Sequence, residues 1–206
     1  MTLTEICAIV GEIVNRPDLQ DGIIKSHVQA ATLRVHQRER WWRDRQTNYV
    51  TFDSASFYQT LEHDLFPRWR SWDWVRIWDA AGTDPLTQQA TGAAGPFFEL
   101  TISAESLFDM FNNPKKYTGI SSGSSTVLRS VASFSAVLVS WFQSPNVTEA
   151  NYSSWIAENY PYAIAYDAVS FMFAGAGQHD NARKWEKAVM DQVAIMLGDN
   201  LTNRGI

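Results

Sequence analysis

Apolar residues recur at helical spacing near both ends of the chain and at strand spacing between them. Leu3, Ile6, Cys7, Val10, Ile13 and Val14 share one side of a first helix, which Thr2 and Glu5 open with capping-box spacing. Asn15-Arg16-Pro17-Asp18 interrupts it, and Asp18 or Asp21 is expected to cap a second helix carrying Ile24, Val28, Ala31, Val35 and Trp42 on one face. Towards the other end, Pro161 suits a first helical position because its missing N–H would have had no intrahelical acceptor. Ile164, Ala165, Ala168, Val169 and Met172 follow at helical intervals, with Gly175 and Gly177 expected to end the helix in the left-handed region. Asp180 is then expected to cap a last helix with the stripe Ala182, Trp185, Ala188, Val189, Val193, Met196 and Leu197. Trp185 is read as buried between these two helices.

The middle of the chain alternates instead. Asn48 to Phe52 reads as a strand, and Trp72 to Trp78 as another, with Trp72, Trp74, Arg76 and Trp78 on one face and Asp73, Val75 and Ile77 on the other. Neither face is plainly polar, so both are expected to be covered. Residues 80–96 are small, polar and without period, and read as an exposed loop. Phe97 to Ile102 reads as a strand, Ser103 to Phe111 as a short capped helix, and Tyr117 to Ser121 as a strand. Ser125 to Val131 follows, and then a final strand through Val137, Val139 and Trp141, ended by Pro145. The order is therefore helices, then a small mainly antiparallel sheet, then helices, which makes the fold class α+β. The expected bounds are 1–46 and 148–198 for the helical parts, 47–147 for the β-rich part, and 199–206 for a flexible C-terminal tail.

Order and pattern together carry a resemblance. Asn151-Tyr152-Ser153-Ser154-Trp155-Ile156, Asn159-Tyr160-Pro161, Ala163, Tyr166 and Ala168, followed by His179-Asp180 and Ala182-Arg183-Lys184-Trp185-Glu186, resemble the C-terminal half of the tailed-bacteriophage head-to-tail adaptor family. The resemblance covers most of the chain and is weakest in the middle, where the loop around Gly92 and the Trp-rich strand match no family motif. It implies that the N- and C-terminal helices form one α-helical bundle with the mainly antiparallel β-rich lobe inserted between them, in a structural virion protein at the head–tail junction, present in the host cytoplasm during assembly. Such a protein forms a ring homo-oligomer, a dodecamer, beneath the portal protein. That ring extends the channel through which genomic DNA passes and offers an attachment site to a tail or nozzle protein. It also implies that the C-terminal segment docks on the portal, which makes Leu201, Arg204 and Ile206 contact candidates.

Composition narrows the alternatives. With 206 residues and 45% hydrophobic content, the chain can bury a sizeable core. Its net charge is −5, with 10 Lys and Arg against 11 Asp and Glu through Ala80 and 7 against 11 beyond. No half is basic, which argues against a tight nucleic-acid grip but suits a wall that phosphate slides past. The lone Cys7 allows no intrachain disulfide, and no signal-like segment or membrane-length apolar run is present, so a soluble, reducing setting without membrane contact is expected. Arg34, Arg38, Arg40, Arg43 and Arg45 make the end of the second helix basic. They read as a solvated face, as a contact for acidic protein surface on a neighbour or portal, or as a DNA contact, and Arg34, Arg38 and Arg45 are the interface candidates.

Six of the nine tryptophans lie between Trp41 and Trp78, either as core or as a partner surface, with Trp72, Trp74 and Trp78 the candidates. That cluster motivates an alternative function, an aromatic-rich carbohydrate-binding module or a tail-associated binding protein. It also motivates a weaker one, a single-strand nucleic-acid platform of Arg68, Trp69, Arg70 and Trp72. Glu62-His63-Asp64 gathers three titratable groups, yet neighbours in sequence fan apart, and the four histidines lack metal-ligand spacing. The glycine turns at Gly92 to Gly95 and Gly119 to Gly123 lack a phosphate cradle's setting. Neither enzyme chemistry nor a cofactor or metal is expected.

Overall fold

The computed structural model describes residues 1–16, 20–78, 97–99, 101–103 and 118–203. The loop expected at 80–96 and the short helix expected after Ser103 lie outside them. The protein is mixed α+β, and its chain divides into two compact units, Met1–Asp44 with Ser144–Ile206, and Arg45–Gln143.

In the first unit α1 (Leu3–Val14) opens with the expected capping box: Thr2 Oγ1 accepts from Glu5 N, and Glu5 accepts from Thr2 N at 2.7 Å. Next come α2 (Asp21–Gln37), α3 (Trp155–Asn159), α4 (Pro161–Gly175) and α5 (His179–Asn203). Helix α4 is the hub, packing against all four others. Ala163, Ala165 and Ala168 keep its surface small enough for close approach, and Ile164 and Val169 fill the gaps. Around it gather Leu3, Ile6 and Val10 of α1, Val28, Ala31 and Val35 of α2, Ile156 of α3, and Val189, Val193 and Met196 of α5.

Several helix ends differ from expectation. Asp21 is the first residue of α2 rather than its cap; Gln20 stands there with no side-chain cap bond. The helix stops at Gln37, so Trp42 falls in a separate turn of 3-10 helix, and Trp41, fully buried and donating from Nε1 to Val35 O at 3.2 Å, fills the core instead. Asp180 lies inside the first turn of α5, where its charge faces the helix dipole, not at the cap. Pro161 does open α4, but only Gly177 takes a left-handed φ, 74°, and Gly175 is the last helical residue. Trp185 is half-buried, with one face towards Tyr166 at 5.1 Å.

The second unit is a curled sheet built around β6 (Ser125–Gln143). Strand β1 (Arg45–Glu62) runs antiparallel along one edge of β6 for nearly its whole length. The other edge is shared: β2 (Trp69–Trp78) takes the C-terminal half of β6 and β5 (Thr118–Ser121) the N-terminal half. Short β3 (Phe97–Glu99) and β4 (Thr101–Ser103) extend the ends, β4 pairing in parallel with β5. Two expected strands thus merge into β6, and β1 runs beyond Phe52 because register shifts between Thr51 and Tyr58 carry its ladder through an irregular sequence.

A shift between Trp72 and Trp74 likewise overturns the simple alternation of β2. Trp72, Val75 and Ile77 are buried, whereas Asp73, Trp74 and Arg76 are partly exposed. Inside, Trp72, Val75, Ile77, Leu128, Val137, Val139 and Trp141 form a second core.

Candidate functional site

The basic end of α2 is tied down from within. Arg34 Nε donates to Asp167 Oδ2 at 2.7 Å and Arg38 Nη2 to Asp167 Oδ1 at 2.8 Å, so one carboxylate of α4, itself 1% exposed, takes two guanidiniums. The Arg34 guanidinium also covers the Phe171 ring at 3.7 Å. Arg38 is therefore not a simple solvated charge. Arg45 belongs to the sheet unit, as the first residue of β1, and its half-exposed side chain lies 3.6 Å from Asp73. The three arginines do not form one patch on a helix end. Asp167 was the residue missed; its sequence signal is a charge within the apolar helix Ala163 to Met172.

The tryptophan candidates separate. Trp72 is 7% exposed and its Nε1 donates to Thr126 Oγ1 at 2.7 Å. Trp74 is partly exposed, and the Arg76 guanidinium lies 4.3 Å from its ring centre. Trp78 is the last residue of β2. The platform imagined for sugars or bases is occupied: His63 stacks on Trp69 at 3.6 Å, and Phe66 meets Trp72 edge-on. His63 Nε2 also lies 2.8 Å from Thr126 Oγ1, which donates to Ser121 Oγ at 3.1 Å. Burial pushes the His63 pKa below the ordinary imidazole range. Glu62 and Asp64 point to solvent, so the three titratable neighbours do not converge.

The expected C-terminal tail is helical as far as Asn203, because Asn200 is buried and accepts from Trp42 N at 3.1 Å, while Tyr160 donates to the adjacent Asp199. Leu201 is 50% exposed; Arg204 and Ile206 lie outside the described residues.

A network the sequence did not reveal joins distant segments. His36 Nδ1 lies 2.9 Å from Asp44 Oδ2, its Nε2 2.8 Å from Ser154 Oγ, and Trp155 Nε1 donates to Asp44 Oδ1 at 2.8 Å. The order of partners is that of a nucleophile, a base and an orienting acid. Geometry turns it to another use. Ser154 is 4% exposed, and its Oγ caps α3 by accepting from Ala157 N at 3.1 Å, so no substrate carbonyl can reach it. Spacings of 8 and 118 residues carry no motif by which these three could have been grouped.

A groove of about 530 Å³ opens on the helical unit, lined by Val14, Arg16, Ile23, His27, Phe171 and Met172 among others. Burial first, then the nearby Arg34 charge, lowers the His27 pKa. Among the described residues no three His, Cys, Asp or Glu side chains gather as a metal site, and no helix is long and apolar enough to cross a membrane. No protein-family model and no curated protein matches the chain.

Proposed function

We propose that this protein is a connector subunit of the tailed-bacteriophage head-to-tail adaptor kind, whose work is binding rather than bond-breaking. Copies close into a ring under the portal protein, extend the DNA channel, and present a seat for the tail. In this reading the terminal helices are the ring-forming bundle and the β-rich lobe inserted between them reaches the neighbour or the tail.

One observation carries the reading. Residues before Asp44 and after Ser144 share a single apolar core, while Arg45–Gln143 has a core of its own. That division matches the layout the sequence resemblance implies. The acidic net charge of −5 fits a wall that repels phosphate. A carbohydrate-binding or single-strand-binding reading loses its support, since Trp72 is buried and the Trp69 face is covered by His63.

Native mass spectrometry of the full chain with and without a cognate portal ring tests the proposal. The expected result is a portal complex carrying a closed ring of this chain. A portal that keeps its own mass at saturating chain concentration would overturn the proposal.

A further inference from the structure

We infer that the outer edge of β1 pairs, antiparallel, with the outer edge of β1 in a second copy of this chain, so that two sheets become one. This goes beyond the connector reading and does not depend on it. Strand β6 gives one edge to β1 and the other to β2 and β5, and among the described strands the ladder of β1 is with β6 alone. Along such an edge, alternate N–H and C=O groups turn away from the ladder and offer themselves to a further strand. The edge is 18 residues long and carries neither proline nor lysine, the usual guards against pairing. Its side chains are open as well, with Phe57 53% and Tyr58 38% exposed. The register shifts only between Thr51 and Tyr58: Thr51 faces Ala136 and Tyr58 faces Arg129, seven residues further along each strand, so the two straight arms stay in one line.

The strand's own sequence names the occupant. Its charges are Arg45 at the start, Asp53 in the middle and Glu62 at the end. Laid parallel and in register, two copies set each charge on its like; laid antiparallel about the midpoint between Asp53 and Ser54, each Arg45 faces the Glu62 of the other copy. The same antiparallel register sets Thr47 opposite Thr60 and Tyr49 opposite Tyr58, hydroxyl against hydroxyl and ring against ring, which are pairings that stabilise neighbouring strands. The irregular stretch falls on the twofold axis, where the arms on either side need no continuous ladder. Arg45 can serve the contact because its approach to Asp73 is long, 3.6 Å, its side chain is half-exposed, and a guanidinium has further N–H donors; Glu62 is exposed. Since one surface serves both copies, the contact closes at two and does not propagate.

The test uses the full-length chain with Arg45→Glu, Glu62→Arg and the double variant, both positions being exposed. Self-association is followed by sedimentation equilibrium across concentration, with thermal melting of dilute samples to check that each variant folds. Each single reversal sets like charges face to face twice per pair and is expected to weaken association about tenfold. Mixing the two single variants is expected to restore it as a one-to-one pair, because one strand then carries acid at both ends and the other base at both ends. The double variant, with its ends exchanged, is expected to pair with itself like wild type. Recovery in the mixture separates edge pairing from the loss of the Asp73 contact, which mixing does not restore. A wild-type chain that stays monomeric up to about 1 mM, single variants that associate like wild type, or a mixture no stronger than its components would each overturn the inference, and the portal experiment would still decide the connector reading separately.

Discussion

Asp167 is the residue on which most local charge depends. Two guanidiniums converge on a carboxylate that is 1% exposed, so Asp167→Ala leaves both cations facing apolar surface. Because the arginine side chains are 26–29% exposed and can partly turn to water, the expected cost is about 3 kcal/mol, the low end for a broken buried pair, read by denaturant unfolding. Arg38→Glu would set a second carboxylate against the first and destabilise the fold, so it is no clean probe of an interface. Arg45→Glu, on a half-exposed side chain, should leave the melting temperature nearly unchanged. Tryptophans divide in the same way. Trp41→Ala empties a fully buried site and should cost about 3–5 kcal/mol, whereas Trp185→Ala on its half-buried helix face should cost about 1 kcal/mol. Equal losses from the two substitutions would contradict this division of the core.

At the scale of elements, the helices were legible wherever a periodic stripe was interrupted by strong punctuation. Pro161 opens α4 and Thr2-Glu5 opens α1 as their chemistry demands. Weak punctuation misled: cap preference favours Asp21 over Gln20, yet Gln20 takes the cap position without a side-chain bond and Asp21 serves in the first turn, and Asn200 looks like a polar tail residue until Trp42 N is seen bonded to it. Strand faces were harder to read. A single register shift between Trp72 and Trp74 exchanges the sides of β2, and bulges leave no fixed mark in composition. The joint of His36, Asp44 and Ser154 was invisible because its members meet only after α2, α3 and the turn at Trp42–Asp44 are in place. Ser154→Ala removes both the α3 cap and the partner of His36 Nε2, and should cost about 1–2 kcal/mol in denaturant unfolding. Ser154→Thr keeps the oxygen and should recover part of that loss.

For the whole molecule, acid is the discriminating condition, since each unit holds one imidazole whose pKa burial lowers, His27 in the helical unit and His63 in the sheet unit. Above the ordinary histidine range, near 6.5, both rings are neutral whether the chain is folded or not, and their environment carries no acid penalty. Below it the unfolded chain takes up protons first, so folded stability falls as pH drops, until the lowered folded pKa values are passed. Calorimetry between about pH 7 and pH 5 should show the melting temperature falling, with a shallower fall in His63→Gln and the shallowest in His27→Gln with His63→Gln. A slope identical in all three proteins would remove these rings as the cause.

Asp44 is the last residue of the helical unit before the chain enters the sheet, and Ser154 lies on the segment by which it returns. Both are held by the same His36 ring. Outgoing and incoming cords are thus knotted to one ring, the incoming one just after Tyr152 has packed against the helical core. Mechanical load entering by either cord is shared with the other.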